Sequence, residues 1–266
     1  MASNPLFRAL VVAAHPDDIE FGCAGTVARW VSEGAAVSYC IATDGSTGTQ
    51  DRDLVGERLA GIRRRESEAA AAVVGVSDIV WLGYRDGYVE YTLDLRRDVA
   101  RVFRRLRPHR FVVADPTPVI GEFFINHPDH RAVGQASLDV SMTAGTTPGH
   151  FPELLDEGLE PWRGLREVWI VGPGGGSTVI DISDAIELKI EALMCHTSQV
   201  GRERDAIAER IRTWTAELGE RHGMRHAESF TVVAQGPGFH PEDQLEDADP
   251  GLARAPFDPR AAPSEP

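Results

Sequence analysis

The chain alternates short, continuous apolar runs with longer segments in which apolar residues recur at helical spacing. The first run, residues 6–14, is β-branched at its centre, which is typical of a strand buried on both faces of a sheet. Runs of the same kind predict further strands at residues 36–42, 79–82, 111–114, 167–171 and 230–233. The segments between them predict helices at residues 22–32, 57–74, 93–106, 129–144, 184–196 and 202–221.

This repeated alternation of strand and helix predicts an α/β fold. We expect a single Rossmann-like domain with a mostly parallel sheet and helices on both of its faces. At 266 residues with 42% hydrophobic content, the chain is long enough to bury the core that such a domain needs. Ligands of such sheets bind beyond the carboxyl ends of the strands, so functional residues should closely follow a strand.

Two segments depart from the alternation. Residues 145–164 are rich in Gly and Pro and are long for a connection, which fits either a loop over a site or a surface excursion. Residues 240–266 hold seven acidic and two basic residues together with six prolines, which predicts a flexible tail. We therefore place the domain at residues 1–239 and the tail at residues 240–266.

The charge of the chain narrows the range of its partners. With 27 basic and 41 acidic residues, the net charge of -14 opposes nucleic acid and anionic membrane surfaces and favours a neutral or cationic small molecule. No signal segment or membrane-spanning run is visible, and three scattered cysteines do not form a disulfide framework. We expect a cytoplasmic protein without integral membrane association. The sequence leaves the oligomeric state open, and a homo-oligomer is among the states it allows.

Two clusters of histidine and aspartate follow predicted strands. The first strand leads directly into HPDDIE at residues 15–20, and HPDH at residues 127–130 follows a later strand and begins a predicted helix. Carboxylates crowded in this way repel one another, and a bound cation would neutralise them. The alternative is a solvated or helix-capping cluster without a metal.

The spacing of the two clusters allows a shared metal site. If the strands before them are neighbours in the sheet, His15 and Asp18 can meet His130 around one ion. Two imidazoles and one carboxylate form a three-ligand set with an open position for water, as catalytic zinc sites require. His127 and Asp17 then remain for proton chemistry.

HPDD after a first strand, paired with a later HPDH, resembles the PIG-L/LmbE family of zinc-dependent N-deacetylases, whose members act on amino-sugar conjugates. The resemblance covers most of residues 6–235. It extends through four more segments, namely TDGSTG at 43–48, RRRESEAAAAVVGV at 63–76, YRDG at 84–87 and KIEALMCHTSQ at 189–199.

The resemblance implies a metal-assisted hydrolysis of a small N-acetylated amino-sugar substrate. It implies Zn²⁺ held by His15, Asp18 and His130, with Fe²⁺ or another divalent ion as the alternative. It implies Asp17 as the general base toward zinc-activated water and His127 as the polar partner of the developing oxyanion. Whether Asp17 or His127 protonates the departing amine stays open.

The resemblance also implies two substrate-binding residues, and each has a structural alternative. Arg63 would point toward the substrate pocket, but Glu66 lies on an apolar helical stripe three residues later and is a candidate ion-pair partner. Asp86 would bind sugar hydroxyls, but it precedes Gly87 in a pair that is typical of turns. Position 125 is Ile where some relatives have tyrosine, so a phenol cannot assist the oxyanion from there.

Three other functions compete with this interpretation. The first is an amidase that acts on a larger conjugate. The second is a non-haem iron oxygenase, because two histidines and one carboxylate also suit ferrous iron, although the α/β pattern and Asp17 argue against it. The third is a catalytically silent module that binds a nucleotide or sugar, although the turn after the first strand lacks the GxGxxG fingerprint.

Overall fold

A computed structural model describes residues 5–121, 125–172 and 175–235, so the tail predicted at 240–266 lies outside the described residues. Its strands are β1 (Arg8–Ala13), β2 (Ala36–Thr43), β3 (Asp78–Tyr84), β4 (Arg110–Ala114), β5 (Glu167–Val171), β6 (Thr178–Asp181) and β7 (Ala227–Ala234). Its α-helices are α1 (Asp18–Gly22), α2 (Ala24–Ser32), α3 (Glu57–Val73), α4 (Leu93–Leu106), α5 (Pro128–Asp139), α6 (Glu153–Asp156), α7 (Ile186–Met194), α8 (Thr197–Val200) and α9 (Arg204–Glu220). No helix in the described ranges has the length and apolarity that a membrane crossing needs.

Within the described residues, the strands form one seven-stranded sheet in the order β3-β2-β1-β4-β5-β7-β6. Strands β1 to β5 are parallel, whereas β7 runs antiparallel to both β5 and β6. The predicted single-domain α/β fold with a mostly parallel sheet is confirmed. β1 and β4 are neighbours, which is the condition that a site shared between the two histidine clusters requires.

The pattern of β1 explains why helices cover both faces of the sheet. Ala9 and Val11 are buried in a core formed with α2, α3, α7 and α9. Leu10 and Val12 are buried in a second core formed with α4 and α5. A strand that is apolar on both faces appears in the sequence as a continuous run, as residues 6–14 do.

Helix α5 approaches the end of β4 closely because it has a glycine at the contact. A Cβ atom at Gly134 would lie 2.3 Å from the carbonyl oxygen of Ala114, far inside van der Waals contact. Pro128 occupies the first turn of α5, where its missing N–H costs nothing, and His127 is the N-cap. The start of α5 is therefore held beside the carboxyl end of β4.

The structure corrects several predicted boundaries. The helix predicted at 129–144 ends as an α-helix at Asp139 and continues as a π-helical turn, Val140–Ala144. The helix predicted at 22–32 begins at Ala24, and the separate short helix α1, Asp18–Gly22, was not predicted. β6 was missed because four residues after a glycine-rich segment carry too little periodicity to predict a strand.

The two ends of residues 145–164 are held near the amino edge of the sheet. The indole N–H of Trp162 donates to the carbonyl oxygen of Pro108 at 2.6 Å, just before β4 begins. The buried guanidinium of Arg104 donates to the carbonyl oxygens of Ala144 and His150, both at 2.7 Å. The middle of the segment lies along α4, where the ring of Phe151 is 5.9 Å from the guanidinium of Arg96.

Candidate metal centre

The two histidine clusters meet where the strand order of the sheet reverses. β2 and β3 lie on one side of β1, whereas β5 lies on the other side of β4. Residues at such a switch point line the crevice in which α/β sheets bind ligands. His15 and Asp18 follow β1, and His130 lies in the first turn of α5 after β4.

Three side chains at this point form a triangle of potential ligand atoms. Nδ1 of His15 lies 3.1 Å from Nε2 of His130, and that Nε2 lies 3.0 Å from Oδ1 of Asp18. Oδ2 of Asp18 lies 3.5 Å from Nδ1 of His15. Tetrahedral zinc ligands at about 2.0–2.1 Å from the ion are separated by about 3.3 Å, so the donor set fits a zinc-sized ion.

The outer nitrogen of each imidazole contacts an acceptor, which leaves the inner nitrogen for an ion. Nε2 of His15 lies 3.2 Å from Oδ2 of Asp129 and 3.2 Å from Oδ1 of Asp86. Nδ1 of His130 lies 3.2 Å from Oδ1 of Asn126, whose amide nitrogen donates to the carbonyl oxygen of Asp115 at 2.9 Å. Metal-binding histidines are oriented in this way in proteins, because the outer N–H fixes the tautomer and the ring.

The electrostatics of the triangle favour positive charge at its centre. Burial lowers the pKa of His15, but the charge of Asp18 and the hydrogen bonds with Asp129, Asp18 and Asp86 outweigh burial and raise that pKa to about 12. Burial by itself raises the pKa of Asp18, but the charges of His130 and His15 hold it well below its usual range. A divalent cation would supply the same positive charge.

A second group of potential ligands shares His15 but is less suited to an ion. It consists of His15, His127 and Asp129. Asp129 is 0% exposed, and its carboxylate accepts from the backbone N–H groups of Gly87 at 2.7 Å and Val89 at 3.2 Å. Because these bonds and His15 already engage both oxygens of Asp129, we assign it to the support of His15.

Asp17 lies beside the triangle and pairs with a guanidinium. Nη2 of Arg63 donates to Oδ1 of Asp17 at 2.9 Å, and Nη1 donates to the carbonyl oxygen of Gly45 at 3.2 Å. Arg63 is 2% exposed. Burial raises the pKa of Asp17, and the charge of Arg63 opposes that rise. The predicted role of Arg63 in substrate binding stays a prediction.

The alternative pairing of Arg63 with Glu66 is wrong. Glu66 accepts from the hydroxyl of Thr197 at 2.7 Å and from the backbone N–H and hydroxyl of Ser198 at 2.8 and 2.6 Å. The buried carboxylate does have partners, as its place on an apolar stripe requires, but α8 supplies them. A Cβ at Gly48 would lie 2.6 Å from Nη1 of Arg63, so this glycine leaves room for the guanidinium.

His127 is the N-cap of α5, and its ring faces His15. Its Nδ1 accepts from the backbone N–H of Asp129 at 3.2 Å, so the ring proton lies on Nε2. The ring centroids of His127 and His15 are 4.7 Å apart, with an interplanar angle of 84°. Burial and the charge of His15 lower the pKa of His127.

Asp86 lies in the turn after β3, close to the centre. It is buried, and its Oδ2 accepts from the backbone N–H of Thr47 at 3.0 Å. Burial raises the pKa of Asp86, but the hydrogen bond with His15, the charge of His15 and the bonds with Thr47 lower it well below its usual range. The structure thus places Asp86 at the edge where the three potential metal ligands gather, and its role toward sugar hydroxyls stays a prediction.

Sequence reasoning missed two supporting residues, Asp129 and Asn126. The motif HPDH pointed to its histidines, and the aspartate between them was given no role. The partners of Asp129 lie about forty residues earlier in the chain, at Gly87 and Val89. The signal that could have identified Asp129 is its position beside Pro128 in the first turn of a helix that follows a strand.

Fold and site together define an α/β protein with a two-histidine, one-carboxylate centre at the switch point of its sheet. The sequence model of the PIG-L family, described as GlcNAc-PI de-N-acetylase, matches residues 10–141. Diacetylchitobiose deacetylase from Thermococcus kodakarensis is 32% identical over 232 residues, which cover 86% of this chain and 84% of that protein. The chain belongs to the PIG-L family.

Other comparisons agree with this assignment. A 1D-myo-inositol 2-acetamido-2-deoxy-alpha-D-glucopyranoside deacetylase from Saccharopolyspora erythraea is 33% identical, over 62% of this chain and 65% of that protein. The solved structure of N,N'-diacetylchitobiose deacetylase from Pyrococcus horikoshii, in complex with its inhibitor MPG, superimposes with a TM-score of 0.79 at 31% identity. The superposition covers 88% of this chain and 87% of the Pyrococcus horikoshii chain. The predicted family is therefore confirmed.

Proposed function

We propose that the protein is a metal-dependent deacetylase that hydrolyses the N-acetyl group of a small N-acetylglucosaminyl conjugate. The observation that carries the proposal is the triangle formed by His15, His130 and Asp18 at the switch point of the sheet. Membership of the PIG-L family and the similarity to diacetylchitobiose deacetylase support the reaction and the substrate class. We propose zinc as the ion. Ferrous iron is the alternative, because metal supply as well as affinity decides which ion occupies such a site.

The three ligands would give the reaction its Lewis acid. A divalent ion bound there supplies polarisation of the amide carbonyl and lowers the pKa of water to about 7. The remaining tasks fall to side chains around the triangle. A base must remove a proton from water, a donor must face the carbonyl oxygen as it gains charge, and an acid must protonate the amine.

Asp17 is the proposed base. Arg63 engages Oδ1 of Asp17 at 2.9 Å, which fixes the carboxylate and leaves Oδ2 for a proton. The guanidinium favours the anion, whereas burial favours the neutral acid and raises the pKa of Asp17. A carboxyl group balanced between these influences can accept the proton of water and then deliver it to the departing amine.

His127 is the proposed donor to the carbonyl oxygen. Because its Nδ1 accepts from the backbone of Asp129, its Nε2 carries a proton that it can donate. Burial and the charge of His15 lower the pKa of His127, which favours a neutral ring. A neutral donor, already oriented by the start of α5, stabilises the developing negative charge without a cost of reorganisation.

Asp86 and Arg63 are the proposed substrate-binding residues. The carboxylate of Asp86 stays ionised and can accept from sugar hydroxyls through charge-assisted hydrogen bonds. Nη1 of Arg63 lies 3.9 Å from Oδ2 of Asp86, so the two side chains border the same region. Because Nη2 of Arg63 holds Asp17, Nη1, which borders Asp86, is the part of the guanidinium proposed to face a substrate.

The test is a screen of zinc-loaded protein against N-acetylglucosaminyl compounds with saccharide, thiol, lipid and antibiotic aglycones. We expect at least one compound to release acetate and free amine in equal amounts, with activity lost on chelation and restored by zinc. Asp18→Asn is the control for contaminating activity, because it weakens one metal ligand while retaining the size of the side chain.

Other outcomes of the same screen favour the competing functions. Release of a large acyl group in preference to acetate supports an amidase. Oxygen consumption that depends on an oxoacid supports an iron oxygenase. Metal binding with no turnover of any compound supports a silent binding module.

A further inference from the structure

The segment at residues 189–199 supplies no ligand to the triangle, yet it carries a fully buried histidine. His196 is 0% exposed, and its Nε2 lies 3.1 Å from Oε2 of Glu20, which is 3% exposed. Nδ1 of His196 is buried and has no hydrogen-bond partner among the described residues. A single ring proton on Nε2, donated to Glu20, therefore suits this pair.

Glu20 lies on α1, the short helix whose start carries Asp17 and Asp18. Helix α1 spans five residues, Asp18–Gly22, and its N-cap residue Asp17 makes no capping hydrogen bond through its side chain. Because a helix this short has little stability of its own, tertiary contacts must set its position. On the side of α3, the hydroxyl of Ser67 donates to the carbonyl oxygen of Pro16 at 3.0 Å. Glu20 provides a contact toward α8.

His196 is itself held by neighbours that are anchored to α3. The residues after it, Thr197 and Ser198, donate three hydrogen bonds to Glu66, at 2.6 to 2.8 Å. Gln199 donates to the carbonyl oxygen of Gly48 at 3.2 Å. The chain of contacts from α3 through α8 to α1 thus ends on the segment that carries Asp17 and Asp18.

We propose that His196 is a positioning residue: through Glu20 it holds α1 so that Asp18 reaches the metal and Asp17 reaches the substrate. The proposal rests on the proposed deacetylase function. A displacement of about 1 Å at a reacting group, caused by a change far from the chemistry, can cost about 10²-fold in rate. His196 should therefore affect turnover and metal affinity without touching either the substrate or the ion.

The experiment is a double-mutant cycle with Glu20→Ala, His196→Ala and the double variant. At saturating zinc we expect each single variant to lower kcat by about 10-fold to 100-fold, with a smaller change in KM. Because both act through one contact, the double variant should lose no more than the worse single variant. Glu20→Gln retains an acceptor for Nε2 of His196 and should recover most of the activity.

The control is Arg104→Met, which removes buried hydrogen bonds to Ala144 and His150 at the opposite edge of the sheet and keeps side-chain bulk. It should lower Tm and leave kcat unchanged. Unchanged kcat in the Glu20 and His196 variants, multiplicative losses in the cycle, or an equal loss of kcat in the control would overturn the proposal.

Zinc competition with a chelator is the second measurement, and about 10-fold weaker zinc binding is expected in the Ala variants. If wild-type protein deacetylates nothing, the proposed function fails, and the zinc measurement still decides the role of His196.

Discussion

The buried carboxylate of Asp129 gives the sharpest test of how the centre is supported. Asp129→Asn retains the shape of the side chain but replaces one acceptor oxygen with a donor. If the new amide oxygen faces Gly87 and His15, the new amide nitrogen faces the backbone N–H of Val89. The hydrogen bond donated by Val89 is then lost. An unsatisfied buried donor costs about 1–3 kcal/mol. For a domain of this size each kcal/mol lowers Tm by about 2–4 °C, so a fall of roughly 2–12 °C is expected.

The pH dependence of that loss has a defined sign. Burial raises the pKa of Asp129, but the hydrogen bonds with His15 and with the backbone of Gly87 and Val89 outweigh burial and lower it. A carboxylate whose folded pKa lies below its unfolded value, about 3.9, contributes stability above that value and loses it as pH falls through the folded pKa. The difference in Tm between wild type and Asp129→Asn should therefore shrink below about pH 4.

Thermal melts across pH and zinc competition with a chelator measure both consequences. We expect Asp129→Asn to weaken zinc binding by about 10-fold to 100-fold, the usual effect of losing an outer partner of a histidine ligand. Asp94→Asn, at an exposed position in the first turn of α4, is the matched control and should change stability by less than about 0.5 kcal/mol. An unchanged Tm together with unchanged zinc affinity in Asp129→Asn would refute the support of His15 by Asp129.

Three further predictions concern the proposed ligands, base and substrate contact. His130→Ala should empty the metal site, and metal analysis showing wild-type affinity and activity would rule out the assignment of that ligand. Asp17→Asn should retain metal while turnover falls by about 10²-fold to 10⁴-fold; near-normal turnover in the metal-loaded variant would exclude Asp17 as the base. Asp86→Ala should lower kcat/KM for a glucosaminide more than for a simple N-acyl amine, with bound zinc unchanged. Equal losses on both substrates with a lowered Tm would instead assign Asp86 to the turn.

The location of the site could be predicted from sequence because each histidine cluster directly follows a buried strand. Parallel strands place their carboxyl ends at one edge, and β1 and β4 prove to be neighbours. The antiparallel orientation of β7 could not be predicted, because an apolar run carries no information on strand direction. β7 pairs antiparallel both with β5 and with β6, a four-residue strand at the edge of the described sheet.

The partners of buried polar residues were harder to predict than the residues themselves. The helical stripe through Glu66 indicated a buried carboxylate that needs a partner, and the structure provides one. The candidate partner that local spacing offered was a neighbour in sequence, Arg63, whereas the observed partners are Thr197 and Ser198, more than 130 residues away. Local spacing reveals which side chain is buried, but the tertiary fold decides what it meets.

The same limit applies to the four aspartates around His15, because their partners come from different parts of the chain. Asp17 contacts the guanidinium of Arg63, whereas Asp86 and Asp129 accept backbone N–H groups from loops that follow other strands. Asp18 also accepts a backbone N–H through Oδ2, but its Oδ1 faces only an imidazole nitrogen in the described hydrogen bonds. An oxygen without a fixed proton donor remains available to a cation or to a proton, because ligation, protonation and donated hydrogen bonds compete for the same lone pairs. The partners of each carboxylate, more than its place in the motif, therefore underlie the proposed division between a metal ligand, a base and the residues that orient the ring.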